Sequence, residues 1–252
     1  MVYYRCKGEK ELTFEEPRQF NDGREISVIL PTYNEEGNIK RLVYAIQTEL
    51  KSVSFEIIIM DDDSKDGTSE IIDNVAGKNV VAVHRVGKRG IFSAILGGVK
   101  ISSGKYIIIM DADFSHPTAK LREFLKYRED YDVVIGSRFL KESHIEAPFF
   151  RKISTIMLNK VCNLILGLKV KDSTGGFHLI RKSKFEGLNF KYPAIWGEFD
   201  LELIYLAVKN GWKMKEIPFT YKFREEGPSK SENLLKYAYI YLKRVIQLRF
   251  FR

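Results

Sequence analysis

The sequence predicts an α/β protein: a mostly parallel sheet covered by helices. Two observations carry this. Its strand-like runs are continuously apolar rather than alternating, the mark of strands buried on both faces. Segments with helical spacing separate them, giving strand, helix, strand, helix in order. Residues 1–25 are polar and irregular and read as an extension. Ile26-Ser27-Val28-Ile29-Leu30 is the first strand, closed by Pro31. Glu36 to Lys51 reads as a helix, with Ile39, Leu42, Val43, Ile46 and Leu50 on one stripe. Glu56 to Met60 is the second strand, ended by Asp61-Asp62-Asp63, and Thr68 to Val75 is the next helix. Val80 to Val83 reads as strand, Gly90 to Ile101 as helix and Tyr106 to Met110 as strand. Beyond Asp111-Ala112-Asp113, Pro117 is placed to open another helix. No Pro-, Gly- or Ser-rich boundary divides the first 230 residues, so 26–230 reads as one domain and 231–252 as a basic amphipathic segment.

Composition narrows the function classes. With 44% apolar and 13% aromatic residues in a chain of 252, the protein is globular and long enough to bury a core. A net charge of +8 points to an anionic partner: nucleic acid, a phosphate-bearing substrate or a membrane surface. Cys6 and Cys162 are too few for a disulfide framework or metal cluster and read as free thiols in a reducing compartment. His84, His116, His144 and His178 form no ligand-spaced pair. MVYYRCKGEKEL lacks the apolar centre of a signal peptide, and no uncharged apolar run is long enough to span a bilayer.

In open α/β sheets, ligands sit beyond the carboxyl ends of the strands. Three polar clusters fall there: Pro31-Thr32-Tyr33-Asn34-Glu35, Asp61-Asp62-Asp63-Ser64 and Asp111-Ala112-Asp113. Alternation along an extended backbone would aim Asp111 and Asp113 the same way. Two hard oxygen ligands on one side of a cleft suit Mg²⁺ or Mn²⁺ carrying substrate phosphates. A second reading stays open for this pair, in which Asp113 or Ser115 caps the helix begun at Pro117. A GxGxxG after a strand is absent, and Gly87-Lys88-Arg89 lacks the Ser or Thr of a P-loop, which disfavours a dinucleotide dehydrogenase or an NTPase.

PTYNEEGNI (31–39), IIIMDDDSKDGT (57–68) and KRGIFSAILGGVKISSGKYIIIMDADFSHP (88–117) resemble the successive motifs of family 2 glycosyltransferases with the GT-A, Rossmann-like fold. VVIGSRF (133–139), FRKIS (150–154), DSTGGFHLIRK (172–182), EFDLELI (198–204) and EIPFTYKFREEGPSK (216–230) narrow the resemblance to dolichyl-phosphate mannose synthases and related polyprenyl-phosphate sugar transferases. The resemblance implies that Pro31, Tyr33 and Glu35 hold the nucleoside, with Ile59, Asp61 and Asp63 completing that pocket. It implies that Asp111 and Asp113 bind the divalent ion on the diphosphate and that Ala112 touches the nucleotide through its backbone. The family often has Gln where this chain has the shorter Ser115, so a water would bridge to the metal there. Arg138, Arg151, Arg224 and Lys230 match cations that meet the acceptor phosphate, with a hydroxyl from either Ser154 or Thr155. Asp113, Arg138 and Arg224 would carry the catalytic step.

The implied reaction moves a sugar, mannose from GDP-mannose, onto polyprenyl (dolichyl) phosphate with inversion. The lipid phosphate is already ionised at neutral pH and needs no strong base. Arginine forks would hold it in line with the anomeric carbon. Other readings remain: a UDP-sugar polyprenyl-phosphate transferase; a glycan-extending transferase, whose general base would be Glu198, Asp200 or Glu202; and, remotely, a basic nucleic-acid-binding protein, although acidic strand ends would repel a phosphate backbone. Two segments, Ile153 to Leu168 and the tail SENLLKYAYIYLKRVIQLRFFR, suit helices lying in a membrane interface, which would make the protein peripheral on the cytoplasmic face. The alternative is that they close the core or bind a membrane partner subunit.

Overall fold

A computed structural model describes residues 4–5, 23–87, 89–194, 197–222 and 234–251. Its strands are β1 (Tyr4–Arg5), β2 (Ile26–Thr32), β3 (Phe55–Asp61), β4 (Val80–His84), β5 (Tyr106–Ile109), β6 (Val133–Ser137), β7 (His144–Glu146), β8 (His178–Arg181), β9 (Met214–Pro218) and β10 (Thr220–Lys222). Its helices are α1 (Ile39–Leu50), α2 (Thr68–Val75), α3 (Ile91–Ile101), α4 (Leu121–Tyr127), α5 (Phe149–Leu166), α6 (Lys182–Glu186), α7 (Glu198–Lys209) and α8 (Leu234–Phe250).

One sheet runs in the order β1-β4-β3-β2-β5-β8-β6-β9, and β7 pairs with β10 in a small second sheet. All pairings are parallel except those of β8, which runs antiparallel between β5 and β6. The continuous apolar strands are explained by helices on both faces. Val28, Leu30, Ile57 and Ile59 pack with Leu42 and Ile46 of α1 and Phe124 of α4. Ile29, Ile58, Met60 and Ile107 pack in a second cluster with Ala94 and Ile95 of α3, Leu203 of α7 and Val245 of α8.

The chain leaves β2, builds β3 and β4 to one side, then crosses back to place β5 on the other side of β2. The carboxyl ends of β2 and β5 therefore flank the point where strand order reverses, the crevice in which open α/β sheets bind ligands.

The structure moves several boundaries. Arg24 belongs to the domain rather than to an extension: it is buried and donates to the carbonyls of Phe55 and Lys78 and to Asn79 Oδ1. Helix α1 starts at Ile39, not Glu36, because the amides of Asn34, Glu35 and Glu36 donate to Ser64, Thr68 and Asp66 of the loop after β3. Strand β5 ends at Ile109, so pleat alternation does not orient Asp111 and Asp113. They sit in a bend in which Phe114 takes a left-handed φ of 62°. The C-terminal segment is also partly core: Tyr241, Arg244, Val245 and Leu248 of α8 are buried.

Candidate active site

The loops after β2 and β3 form one wall. Besides the Ser64 and Thr68 contacts, Asn34 Oδ1 accepts the Lys65 amide at 2.9 Å, and Glu35 Oε2 accepts from Asn38 at 2.9 Å. The half-buried ring of Tyr33 lies under the Arg89 guanidinium, 4.3 Å from the ring centroid. Asp61 is fully enclosed: Ser64 donates to Oδ1, Ser69 to Oδ2 at 2.7 Å, and His84 Nδ1 lies 3.5 Å from Oδ2. Burial works against its ionisation, but these partners outweigh it and hold the carboxyl below the usual range. Asp61 thus braces the wall, and Ile59 packs in the interior of β3 with α1. Asp62, given no role by the motifs, receives Arg85 and the Gly90 amide. Asp63, at φ 60°, pairs with Lys65 at 2.8 Å.

The acidic bend forms the floor. Asp111 leaves 42% of its side chain exposed, a high value for a carboxylate at the mouth of a buried strand. His116 sets its position. The ring is buried, stacked 4.8 Å from Phe177 at 6°, and its Nδ1 accepts the Asp111 amide at 3.0 Å. The neutral ring then carries its proton on Nε2, 3.9 Å from Asp111 Oδ2. Burial pushes the His116 pKa down to about 3, so the ring is neutral at any working pH. Asp113 Oδ1 accepts the Ser115 amide at 3.1 Å in a local turn. The helical turn that follows is preceded by Pro117, with no side-chain cap, so the capping reading of Asp113 and Ser115 fails. Ala112 is buried beside them, and the buried Ser115 Oγ has no hydrogen-bond partner among the described residues.

These groups fit a divalent cation. Two hard carboxylates, one open to the cleft, and an unsatisfied hydroxyl match the oxygen ligands of Mg²⁺ or Mn²⁺. Among the described residues no three His, Cys, Asp or Glu side chains converge, so a cation held here would need phosphate and water oxygens to complete its ligands.

Beside the floor is a cavity of about 120 Å³ lined by Arg138, Arg151, Ser154, Thr155, Tyr221 and Tyr237 among others. Its nearness to the carboxylates is electrostatically visible. Burial pushes the Tyr221 hydroxyl up, Asp111 and Asp113 push it further, and Arg138 and Arg151 oppose them. Ser154 donates to the Arg151 carbonyl at 2.9 Å, and both Ser154 and Thr155 line the cavity. Arg138 is held by a buried partner absent from the expected set. Asp172 Oδ2 accepts its backbone N–H at 2.9 Å and its Nε at 2.8 Å, while Oδ1 accepts Nη2 at 2.8 Å. The same Nη2 reaches Thr174 Oγ1 at 2.8 Å. The Asp172 of DSTGGF is the readable signal for this pair, an acid in the loop before β8 that needs a partner once buried. Arg224 and Lys230 lie outside the described residues.

Of the three acids considered as general base, Glu198 and Glu202 are committed elsewhere. Both are buried against Arg244 of α8, with Glu202 Oε2 2.6 Å and Glu198 Oε1 3.8 Å from its guanidinium. Asp200 Oδ1 lies 3.2 Å from His178 Nε2, and burial raises its pKa. Its other oxygen faces Gly176, where an added Cβ would lie 3.6 Å from Asp200 Oδ2 and 3.8 Å from Asp111 Oδ1. A residue without a side chain at 176 keeps the space between these two carboxylates open.

Comparison with known proteins agrees with this geometry. The family model described as glycosyl transferase family 2 matches residues 27–188. The chain is 33% identical over 230 residues to a dolichol-phosphate mannosyltransferase of Pyrococcus furiosus, covering 88% of this chain and 63% of that protein. It thus spans less than two thirds of that relative's length. It is 30% identical over 225 residues to a polyprenol monophosphomannose synthase of Mycolicibacterium smegmatis, covering 86% of this chain and 84% of that protein. In fold it is similar to glucosyl-3-phosphoglycerate synthase of Mycobacterium tuberculosis in complex with Mn²⁺, UDP and phosphoglyceric acid: TM-score 0.68, 16% identity, covering 90% of this chain and 79% of that one. Mannosyl-3-phosphoglycerate synthase of Rubrobacter xylanophilus gives a TM-score of 0.64 at 14% identity, covering 89% of this chain and 73% of that one. The match over residues 27–188, well over half of the chain, together with the carboxylate bend at the sheet's switch point, leads to one conclusion: this chain belongs to glycosyl transferase family 2.

Proposed function

We propose that this protein transfers mannose from GDP-mannose to a polyprenyl phosphate of the dolichyl type, with inversion at the anomeric carbon, while lying on the cytoplasmic face of a membrane. The observation that carries the reading is the cavity of Arg138, Arg151, Ser154 and Thr155 set beside Asp111 and Asp113. One side holds a phosphate-bearing acceptor and the other a nucleotide-sugar. Two relatives, at 33% and 30% identity, are named for transfer of mannose to dolichol or polyprenol phosphate.

The donor's nucleoside rests on the wall of Pro31, Tyr33 and Glu35, with Asp61 and Asp62 bracing it from behind. Asp111, Asp113 and, through water, Ser115 would hold Mg²⁺ or Mn²⁺, which when bound supplies positive charge to the leaving diphosphate. The chain's own groups do the rest. Asp172 holds the Arg138 fork, Arg151 adds a second cation, and Ser154 or Thr155 a hydroxyl, so an already ionised acceptor phosphate meets the sugar in line. No general base is needed, consistent with two of the three available acids being tied to Arg244.

The membrane part rests on two helices. On α5, Phe149, Phe150, Ile153, Met157, Val161 and Leu164 face outward, Phe150 and Leu164 at 80% and 82% exposure. On α8, Tyr239, Leu242, Ile246 and Phe250 are exposed, with Lys243 and Arg249 beside them. Arg244 is withdrawn from the basic set expected of this tail, because Glu198 and Glu202 hold it inside. Among the described residues no helix is long and apolar enough to cross a membrane, and the exposed apolar faces suit an interface position. Asp113→Asn tests the metal-bearing half of the site: circular dichroism stays unchanged while transfer falls by at least about a hundredfold. A folded variant with near-wild-type turnover would sink the assignment. Flotation with vesicles tests the surface reading; a protein that ignores anionic vesicles at low salt reaches its acceptor through a membrane partner subunit instead.

A further inference from the structure

Helix α5 has three distinct faces. At about 100° per residue, Arg151, Ser154, Thr155 and Leu158 share the face that lines the acceptor cavity. The exposed apolar residues Ile153, Met157, Val161 and Leu164 share a second. Lys152, Ile156, Asn159, Lys160 and Asn163 share the third, which walls a separate groove of about 580 Å³. The first and third faces lie about a third of a turn to either side of the apolar one. A helix inserted by its apolar face therefore opens both the cavity and the groove at the same depth, that of lipid head groups.

The groove is strongly basic. Lys152, Lys160, Lys169, Lys171 and Arg138 line it, and no Asp or Glu does. Two nearby carboxylates are already committed: Glu216 accepts the amides of Lys171 and Asp172 at 2.8 and 3.0 Å, and Asp172 is filled by Arg138; Glu142 and Glu146, beside the lining residues Ser143 to Ile145, are exposed to solvent. None of the four lysine ammonium groups has a carboxylate partner among the described residues. Asn159 and Asn163 are held rigid by the carbonyls of Lys171 and Val170, at 2.6 and 2.9 Å, so the groove's wall is fixed to the segment that carries two of its lysines. Unpaired cations around a concave space of this size bind a multiply oxygenated anion.

We propose that this groove is a second anion site, distinct from the acceptor cavity, that takes the phosphate-bearing head group of an anionic membrane lipid. Such a lipid clamps α5 from one side while the acceptor phosphate enters from the other, and among the described residues only Arg138 and Ile145 touch both spaces. The proposal rests on the membrane reading above. The test separates the two by using a soluble probe: dihexanoyl-phosphatidylglycerol below its micellar concentration, a phosphodiester that cannot serve as acceptor. It is titrated calorimetrically into the full chain, into a Lys152→Gln/Lys160→Gln/Lys169→Gln/Lys171→Gln variant, and into a control with Lys40, Lys51, Lys78 and Lys100 changed to Gln.

Saturable binding that weakens at least tenfold in the groove variant and less than twofold in the control supports the site. Equal weakening in both variants means diffuse charge and overturns it, as does absence of saturation. Inorganic phosphate binding as tightly as the lipid probe overturns the head-group source in favour of a free anion. Failure to float on anionic vesicles at low salt removes the membrane reading, while the titration with the soluble probe still decides the groove.

Discussion

Asp172→Asn is the sharpest test of how this site is built. The carboxylate is wholly buried and accepts four hydrogen bonds: from the Arg138 backbone, Nε and Nη2, and from the Thr174 amide at 3.2 Å. Asparagine keeps the shape but offers one acceptor oxygen, and its NH₂ must face two donors at the other position. It also leaves the Arg138 guanidinium, 11% exposed, without its counter-charge. Breaking one half of a buried pair costs about 3–5 kcal/mol. That is a large part of the about 5–15 kcal/mol that holds a domain together. For a chain of this size it lowers Tm by about 6–20 °C. Urea unfolding should show a lower midpoint at unchanged m, with the variant still folded at 25 °C.

The same substitution has a pH signature. Burial works against ionisation of Asp172, but Arg138 outweighs it and holds the carboxyl below its ordinary value. A depressed pKa stabilises the fold above the unfolded value of about 3.9 and loses that contribution as pH falls through the folded value. The gap between wild type and variant is therefore constant from neutral pH down to about pH 5 and closes in more acid solution. In transfer assays, KM for polyprenyl phosphate should rise while GDP affinity stays put. A stability loss below about 1 kcal/mol, or a gap that persists unchanged at low pH, refutes the reasoning.

Arg244→Met removes the shared partner of two buried acids and should cost about 3–5 kcal/mol in urea unfolding. Adding Glu198→Gln and Glu202→Gln should recover most of it; no recovery would assign the loss to packing. His84, hydrogen-bonded to Asp61 and Asp73, has its pKa raised despite burial. It therefore stabilises the fold fully below about pH 6.5 and loses that effect as pH rises through its folded value. The Tm difference between wild type and His84→Gln should be largest near pH 6 and shrink toward pH 9, and a pH-independent difference contradicts the assignment. Arg151→Ala, at the acceptor side of the cavity, should raise KM for the lipid phosphate and leave manganese-dependent GDP binding within about twofold, as expected for a contact made only to the acceptor; a matching loss of GDP affinity places Arg151 at the donor instead.

The elements from β2 to β5, the parallel sheet and the three strand-end clusters were legible in the sequence because each rests on local signals: a run of Ile such as 57–59 buries both faces wherever it lies, and Asp61-Asp62-Asp63 marks a strand's end without help from elsewhere, whereas β2 runs through Pro31 to Thr32. The motifs also named Asp111, Asp113, Arg138 and Arg151, whose spacing along the chain is a family property. What tertiary structure decided is which polar groups face a ligand and which face each other. Asp61 and Asp63 are two residues apart in one motif, yet Asp61 is enclosed by Ser64, Ser69 and His84 while Asp63 stays near the surface. Arg138 meets Asp172 from 34 residues away, and Arg244 meets Glu202 from 42. Such pairs cannot be read along the chain, because burial makes a charge seek whichever opposite charge folding brings within reach. The three faces of α5 are a periodicity any reader of the sequence can draw. That one lines a cavity, one a basic groove and one solvent depends on where α8, β7 and the segment 168–171 pack around it.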